Sequence, residues 1–545
     1  MITILASGLP VKRVLLATLL TCPILVTAQV DDGSSQEEIT VVGSYEPLKA
    51  DANKVGANPE LPPVETDSMA PLQYNIPVSF SPVAWTPAAA RPVALPKPIL
   101  EPLDNAFVKV GFGTQFTPLV EAAYSSGRSE KINYGFHAGY TSSNGARENQ
   151  LFSKGRASLF GKYFAGPISI GLRGDIQNDV LHFYGYDEED TTFTRDEVRQ
   201  RFLTTGAALD FRNTVENDLG VDFIVTAGMR TLADVWKSRE FQPYFESRFF
   251  YTLGSGDQAQ LNLGYEYLRY SGPIMRNRGV FRLMPAYVFN RENFAINLGA
   301  GVAVDTGRAR FISDIEFSHD LVDEQIVFFA GWSNRVQTNS WRSITDENPF
   351  VMDTLNFRNS KVDDRYAGFR GEIARKIDYQ VRGSQKVLSD LPLYITDTID
   401  SKRFNVVYDD LKLWAFHGEV GFYQDERYRI FFSTDLRTFS SSGEQNQAWH
   451  MPTVMWDLGG QYQVTDKLTL TADVLGRSGG WALQPDSTET KLGGTVDINL
   501  GGTYEYNDNF TIWLDVNNLA GIQYERWNRY PSYGFQIMGG LKFSF

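Results

Sequence analysis

Cysteine is almost absent from this chain of 545 residues: Cys22 is the only one. That excludes a disulfide-stapled scaffold. Long hydrophobic runs are missing too. Val14 to Val26 is apolar but too short to cross a membrane, and no run of about 18 apolar residues occurs elsewhere, so no membrane-spanning helix is expected. Positive charge is in short supply, with 51 Lys and Arg against 65 Asp and Glu, a net charge of −14. Such a balance argues against nucleic acid as a partner. Histidine is scarce: His137, His182, His319, His417 and His450 are the five, and none sits in an HExxH or other close metal-ligand spacing. Neither a G-x-S-x-G nucleophile elbow nor a GxxxxGK[ST] phosphate loop is present. No catalytic group, cofactor or metal is therefore expected, and the chain does not read as an enzyme.

Aromatic residues, in contrast, are plentiful, with 37 Phe, 26 Tyr and 10 Trp. The first 28 residues read as a secretory signal peptide. Lys12 and Arg13 form its positive end, Val14 to Val26 its apolar stretch, and Val26-Thr27-Ala28 a small-residue cleavage site before Gln29. Lipoprotein processing at Cys22 fits less well, because Thr21 stands where Gly, Ala or Ser is usual. Residues 29–104 form a second region. Twelve prolines fall between Pro47 and Pro102, which reads as extended or irregular chain, because proline lacks an N–H and breaks ladders.

From Asn105 onward, apolar and polar residues alternate in strand after strand. Ile168, Ile170 and Leu172 alternate with Ser169, Gly171 and Arg173. Trp414, Phe416, Val420 and Phe422 share a face opposite Ala415, His417, Glu419 and Gly421. Short turns are expected at 165–167, 254–257, 290–292, 425–426, 465–467 and 507–508. Long polar connections are expected at 181–197, 334–365, 388–404, 438–450 and 478–491. Such alternation of short turns and long loops suits a transmembrane barrel with short periplasmic turns and long outer loops. The expected fold is all-β: one antiparallel outer-membrane barrel over residues 105–545, of about 22 strands. Its lumen is wide enough to need a plug or to hold a channel.

The tail completes the pattern. Between Tyr533 and the terminal Phe545, the residues Tyr533, Phe535, Ile537, Leu541, Phe543 and Phe545 fall on one face of an expected strand, with Gln536, Lys542 and Ser544 on the other. An amphipathic last strand ending in Phe resembles the end of bacterial outer-membrane barrels, where it serves as a signal for the barrel assembly machinery. Two segments resemble TonB-dependent outer-membrane receptors in particular. One is Asn517-Asn518-Leu519, followed by Tyr524, Trp527, Tyr530-Pro531 and the final strand, which is similar to that family's closing hairpin. The other is Glu38, Ile39, Thr40, Val41, Val42 and Gly43, within the stretch 37–44, which resembles the box that couples such receptors to an energising protein. The resemblance implies a Gram-negative outer-membrane location, solute uptake, and TonB or a surface lipoprotein as partner. That family places a folded plug domain between box and barrel, whereas only residues 45–104 lie there in this chain. The resemblance therefore points to a plugless or vestigial-plug member, similar to receptor-like barrels of Bacteroidota. The stretch Tyr74 to Leu100 then reads either as a partial plug threaded into the lumen or as a periplasmic tether.

Three features carry a chemical reading beside a plainer one. His417 and Glu419 share an inward face, suited to acid–base or metal chemistry, but equally to the lining of a wet lumen; His137 reads the same way. Asp187-Glu188-Glu189-Asp190 could hold Ca²⁺, or simply be a solvated loop. Trp341 and Trp449 could contact a ligand or partner, or pack within loops and interfacial girdles. A second functional reading also stands: a non-transporting scaffold that docks lipoproteins or periplasmic partners through the 334–365 loop and the Pro-rich segment.

Overall fold

The computed structural model describes residues 105–545 apart from 128, 188–191, 216, 218–219, 255, 323–324 and 425–426. The expected signal peptide, the Pro-rich segment with its box, and Glu188 to Asp190 of the acidic run lie outside the described residues. The strand Ala106–Gly113 pairs antiparallel with Thr117–Ser125 on one side and with Gln536–Ser544 on the other. With the other strands paired in turn, one 22-stranded sheet closes on itself. Closure matters because it leaves no edge whose backbone groups would lie unpaired in lipid.

The period-two pattern becomes two chemically different surfaces. Leu172, Ile176, Phe416, Val420, Ile512, Leu541 and Phe543 lie on the exterior, each more than a third exposed. An apolar belt of that extent is intolerable in water and suits a bilayer. The alternate positions line a charged lumen, where Arg382 pairs with Asp364 at 2.7 Å and Arg173 with Asp210 at 2.9 Å. The chain is thus a transmembrane β-barrel, as the alternation implies.

Both ends of the barrel emerge at one rim, where connections run from two residues (166–167) to seven (214–220). The opposite rim carries the long loops: 144–151, 183–198, 338–359, 397–403, 442–453, 478–494 and 518–535. Apart from the turn expected at 425–426, which lies outside the described residues, the expected short turns and long loops fall on these two rims, with two corrections in extent. Loop 334–365 shrinks to 338–359, and the connection expected at 388–404 is mostly strand. Ile377–Thr396 and Phe404–Gln424 run for 20 and 21 residues, joined by 397–403. A bulge interrupts the alternation there: the register shifts between Leu388 and Leu391, and Asp390 takes φ 53°. Beyond the bulge the hairpin continues past the bilayer, with Leu393 and Leu411 buried.

Two local features correct the reading further. A short helix, α1 (Trp341–Glu347), stands in loop 338–359, capped by Ser340, whose side chain accepts from Ser343 while Ser343 reaches back to Ser340. The final strand begins only at Gln536. Tyr533 therefore leaves the lipid face; its hydroxyl donates to the Gln150 carbonyl and its ring meets Phe152 edge-on at 5.6 Å. Ile537, Leu541, Phe543 and Phe545 do face outward. At the closing seam Gly111 stands opposite Gly540, and the buried indole of Trp513 lies over both. A Cβ at Gly540 would collide with the Val110 carbonyl, so only glycine lets these strands meet.

Candidate functional site

The loop rim does not open onto the lumen as a plain ring. Fifteen buried apolar residues, most of them in or beside the long loops, form a hydrophobic core of their own. It gathers Phe183 and Val198 from 183–198, Trp341, Ile344, Phe350, Val351, Leu355 and Phe357 from 338–359, and Trp527 and Tyr530 from 518–535. The rings of Phe350 and Tyr530 stack at 3.6 Å between centroids, 19° from parallel. Phe183 meets Phe350 at 6.1 Å, and Tyr184 meets Tyr530 at 4.9 Å.

Topology makes this contact informative. These three loops follow the fifth, thirteenth and twenty-first barrel strands, so eight, eight and six strands separate their roots in the 22-stranded ring. A closed sheet of 22 strands, spaced about 4.8 Å apart and tilted about 40°, is roughly 40–45 Å across. Loops of 16, 22 and 18 residues reach the axis at about 3.3 Å per extended residue. Loops rooted about a third of the circumference apart can share one ring stack only by crossing the mouth. They form a lid.

Loop 338–359 is the best anchored part of this lid. Trp341 is fully buried among Phe202, Leu232 and Tyr270, which stand at the upper ends of three barrel strands. The carboxylate of Glu240, itself buried in the wall, accepts the Trp341 and Arg342 backbone N–H groups at the start of α1, the second at 3.3 Å. That places an acceptor at the start of the helix, while burial raises the Glu240 pKa. Thr338 donates to Glu266 at 2.6 Å, Asn359 donates to Asp305 at 2.8 Å, and Arg278 donates to the Asn339 carbonyl. The loop's middle is tied to the long hairpin by Phe404 N–H to Phe350 O at 3.0 Å and Met352 N–H to Phe404 O at 2.9 Å.

Neighbouring loops lock around it. Burial pushes the Tyr184 hydroxyl up to about 12, keeping it a donor, and it donates to the Pro531 carbonyl at 3.1 Å. The Arg403 guanidinium lies 4.0 Å over Trp236 and 5.0 Å over Phe183. A second cluster around Leu393, Leu411 and Trp449 seats loops 442–453 and 478–494 against the long hairpin. His450 sits between the two: its Nδ1–H donates to the Tyr394 carbonyl at 3.0 Å, and its Nε2 accepts the Asn528 N–H at 3.3 Å. Burial pushes its pKa down to about 4, so the ring is neutral.

The residues singled out by sequence divide clearly. His137 faces the lumen and pairs with Glu121 at 2.8 Å. His417 lies between Glu419 at 3.5 Å and Asp435 at 3.3 Å, also on the lumen wall. Among the described residues no three His, Cys, Asp or Glu side chains are grouped to hold a metal ion. Trp341 and Trp449 are buried in loop cores, which removes both from contact with a ligand in this closed state. Sequence reasoning missed Glu240, Glu266 and Phe350. The one available signal was the density of aromatic residues in segments too polar to be strands.

A lipid-faced closed barrel with its long loops on one rim defines a large outer-membrane β-barrel, and the loop rim is its outer face. No protein-family model matches the sequence, and no curated protein matches it. Solved structures do. The FrpB iron transporter of Neisseria meningitidis superposes with a TM-score of 0.65 at 9% identity, over 82% of each chain. The ferric-catecholate import receptor Fiu of E. coli K12 gives 0.63 at 10% identity, over 81% of this chain and 82% of that one. The ferric enterobactin receptor PfeA of Pseudomonas aeruginosa gives 0.62 at 10% identity, over 81% and 80%. The barrel therefore has the fold of the TonB-dependent receptors.

Proposed function

We propose that this chain is an outer-membrane uptake receptor of the TonB-dependent kind, in which the outer loops capture a solute and the barrel passes it inward. The observation that carries this reading is the lid. A passive pore needs an open mouth, whereas a receptor that admits one solute needs a mouth that is closed at rest. In this reading Glu38 to Gly43 is the segment pulled by TonB, and the barrel is plugless, with at most a vestigial plug in residues 45–104. The terminal residues from Phe535 to Phe545 are read by the barrel assembly machinery, and a surface lipoprotein is a further candidate partner.

The test is a growth comparison across single nutrient sources and iron complexes, using wild type, a deletion strain and a strain carrying Val41→Pro. A shared growth defect on one solute class supports energised uptake. Full growth of the deletion strain on every source, together with a partner that co-purifies in equal amount, would overturn it in favour of a scaffold.

A further inference from the structure

We propose that loop 338–359 is the permeability barrier of this barrel, and that the barrier opens along the seam where Phe350 meets Tyr530. The first half follows from how the loop is held. It is fastened at both roots and at its middle: Thr338 to Glu266, Asn359 to Asp305, Trp341 in the wall, and backbone hydrogen bonds between Phe350, Met352 and Phe404. Anchors on the strands from Arg199–Asn213 to Gln258–Ser271, on Phe294–Asp305 and on Phe404–Gln424 thus hold this one segment. A segment with its own apolar core, a capped helix and buried polar anchors is a folded closure rather than a floppy loop.

The second half follows from what joins this loop to its neighbour. Between 338–359 and 518–535, no backbone hydrogen bond is present among the described residues. The contact consists of side chains: the Phe350–Tyr530 stack and an exposed Arg526–Glu347 ion pair at 2.7 Å. Exposed pairs of this kind add little, so the ring stack is the main tie. Parting here breaks no ladder and exposes two rings. Release of 338–359 from its wall anchors would strip the Phe350–Phe404 and Met352–Phe404 backbone bonds or leave the Glu240 side chain buried without its partners. The seam is weaker than those anchors.

This inference stands apart from the identity of the solute and from the energy-coupling box, so either reading can fail alone. The test uses the full mature protein, purified folded from outer membranes, in planar lipid bilayers. Wild type is expected to conduct little. The double variant Phe350→Ala/Tyr530→Ala is expected to conduct up to about tenfold more, the factor a buried ring pair is worth at the upper end of its range. A Phe350→Cys/Tyr530→Cys pair is expected to stay closed when oxidised and to open on reduction. Heat-modifiable migration on gels verifies that each variant barrel is folded. Large conductance in wild type overturns the proposal. So does a double-alanine variant as closed as wild type, which would move the barrier to residues 29–104, and so does an oxidised cysteine pair that conducts as freely as the reduced one.

Discussion

Acid should open this lid, and His450 sets where. The closed lid satisfies His450 only as a neutral ring, since Nδ1–H donates to Tyr394 O and Nε2 accepts from Asn528 N–H. A second proton on Nε2 would point at that N–H and remove its acceptor. Burial lowers the pKa from its ordinary 6.5 to about 4. When loop 518–535 swings off the Phe350 seam it draws the Asn528 N–H away from Nε2, and the solvated ring then titrates near 6.5. Between these two values the open form binds a proton that the closed form refuses, so closure weakens as pH falls through that window and is fully retained above 6.5. The span from 6.5 to about 4 corresponds to about 3 kcal/mol. About 2 kcal/mol of it is lost by about pH 5, a roughly 30-fold shift toward the open form. The assay is conductance of the folded mature protein from about pH 7.5 to about pH 4.5, beside acrylamide quenching of the buried lid tryptophans. His450→Gln keeps an N–H and an oxygen acceptor without a titrating ring, and should flatten the profile. An unchanged acid response in His450→Gln, or none in wild type, would refute the reasoning.

Three further outcomes are expected. Trp341→Ala empties the socket between Phe202, Leu232 and Tyr270 and should destabilise the lid by about 3–5 kcal/mol, seen as faster proteolysis and hydrogen exchange in 338–359 while the barrel strands stay protected. Glu240→Gln retains an acceptor for the start of α1 and should cost at most about 1 kcal/mol, whereas Glu240→Leu leaves two N–H groups unpaired and should cost about 2–3 kcal/mol; amide exchange at Trp341 and Arg342 reads both. Gly540→Val collides with the Val110 carbonyl at the closing seam and should abolish the heat-modifiable folded band, whereas Gly166→Ala, in an open turn, should leave that band in place.

Much of the barrel was legible because its rule is local. Residues two apart share a face, so lipid and lumen write themselves into each strand, and His137, His417 and Glu419 could be placed on the lumen wall from period alone. Short turns were legible from Asn, Asp, Gly and Lys between strands. The misreadings came where period two is interrupted. A bulge at Leu388 to Leu391 flips the alternation, and two long strands then read as a loop. Tyr533 keeps the parity of the last strand but lies before its first paired residue, so only the pairing shows that it turns inward.

By itself the sequence determined a closed, lipid-faced barrel of about 22 strands, because each strand must satisfy its surroundings within two residues. The tertiary structure alone decided that the mouth is shut. Phe183, Phe350 and Tyr530 are separated by more than a hundred and fifty positions each, and no local period links them. They meet because barrel closure sets their loops about a third of a circumference apart, and because aromatic side chains at a wet rim gain most by burying one another.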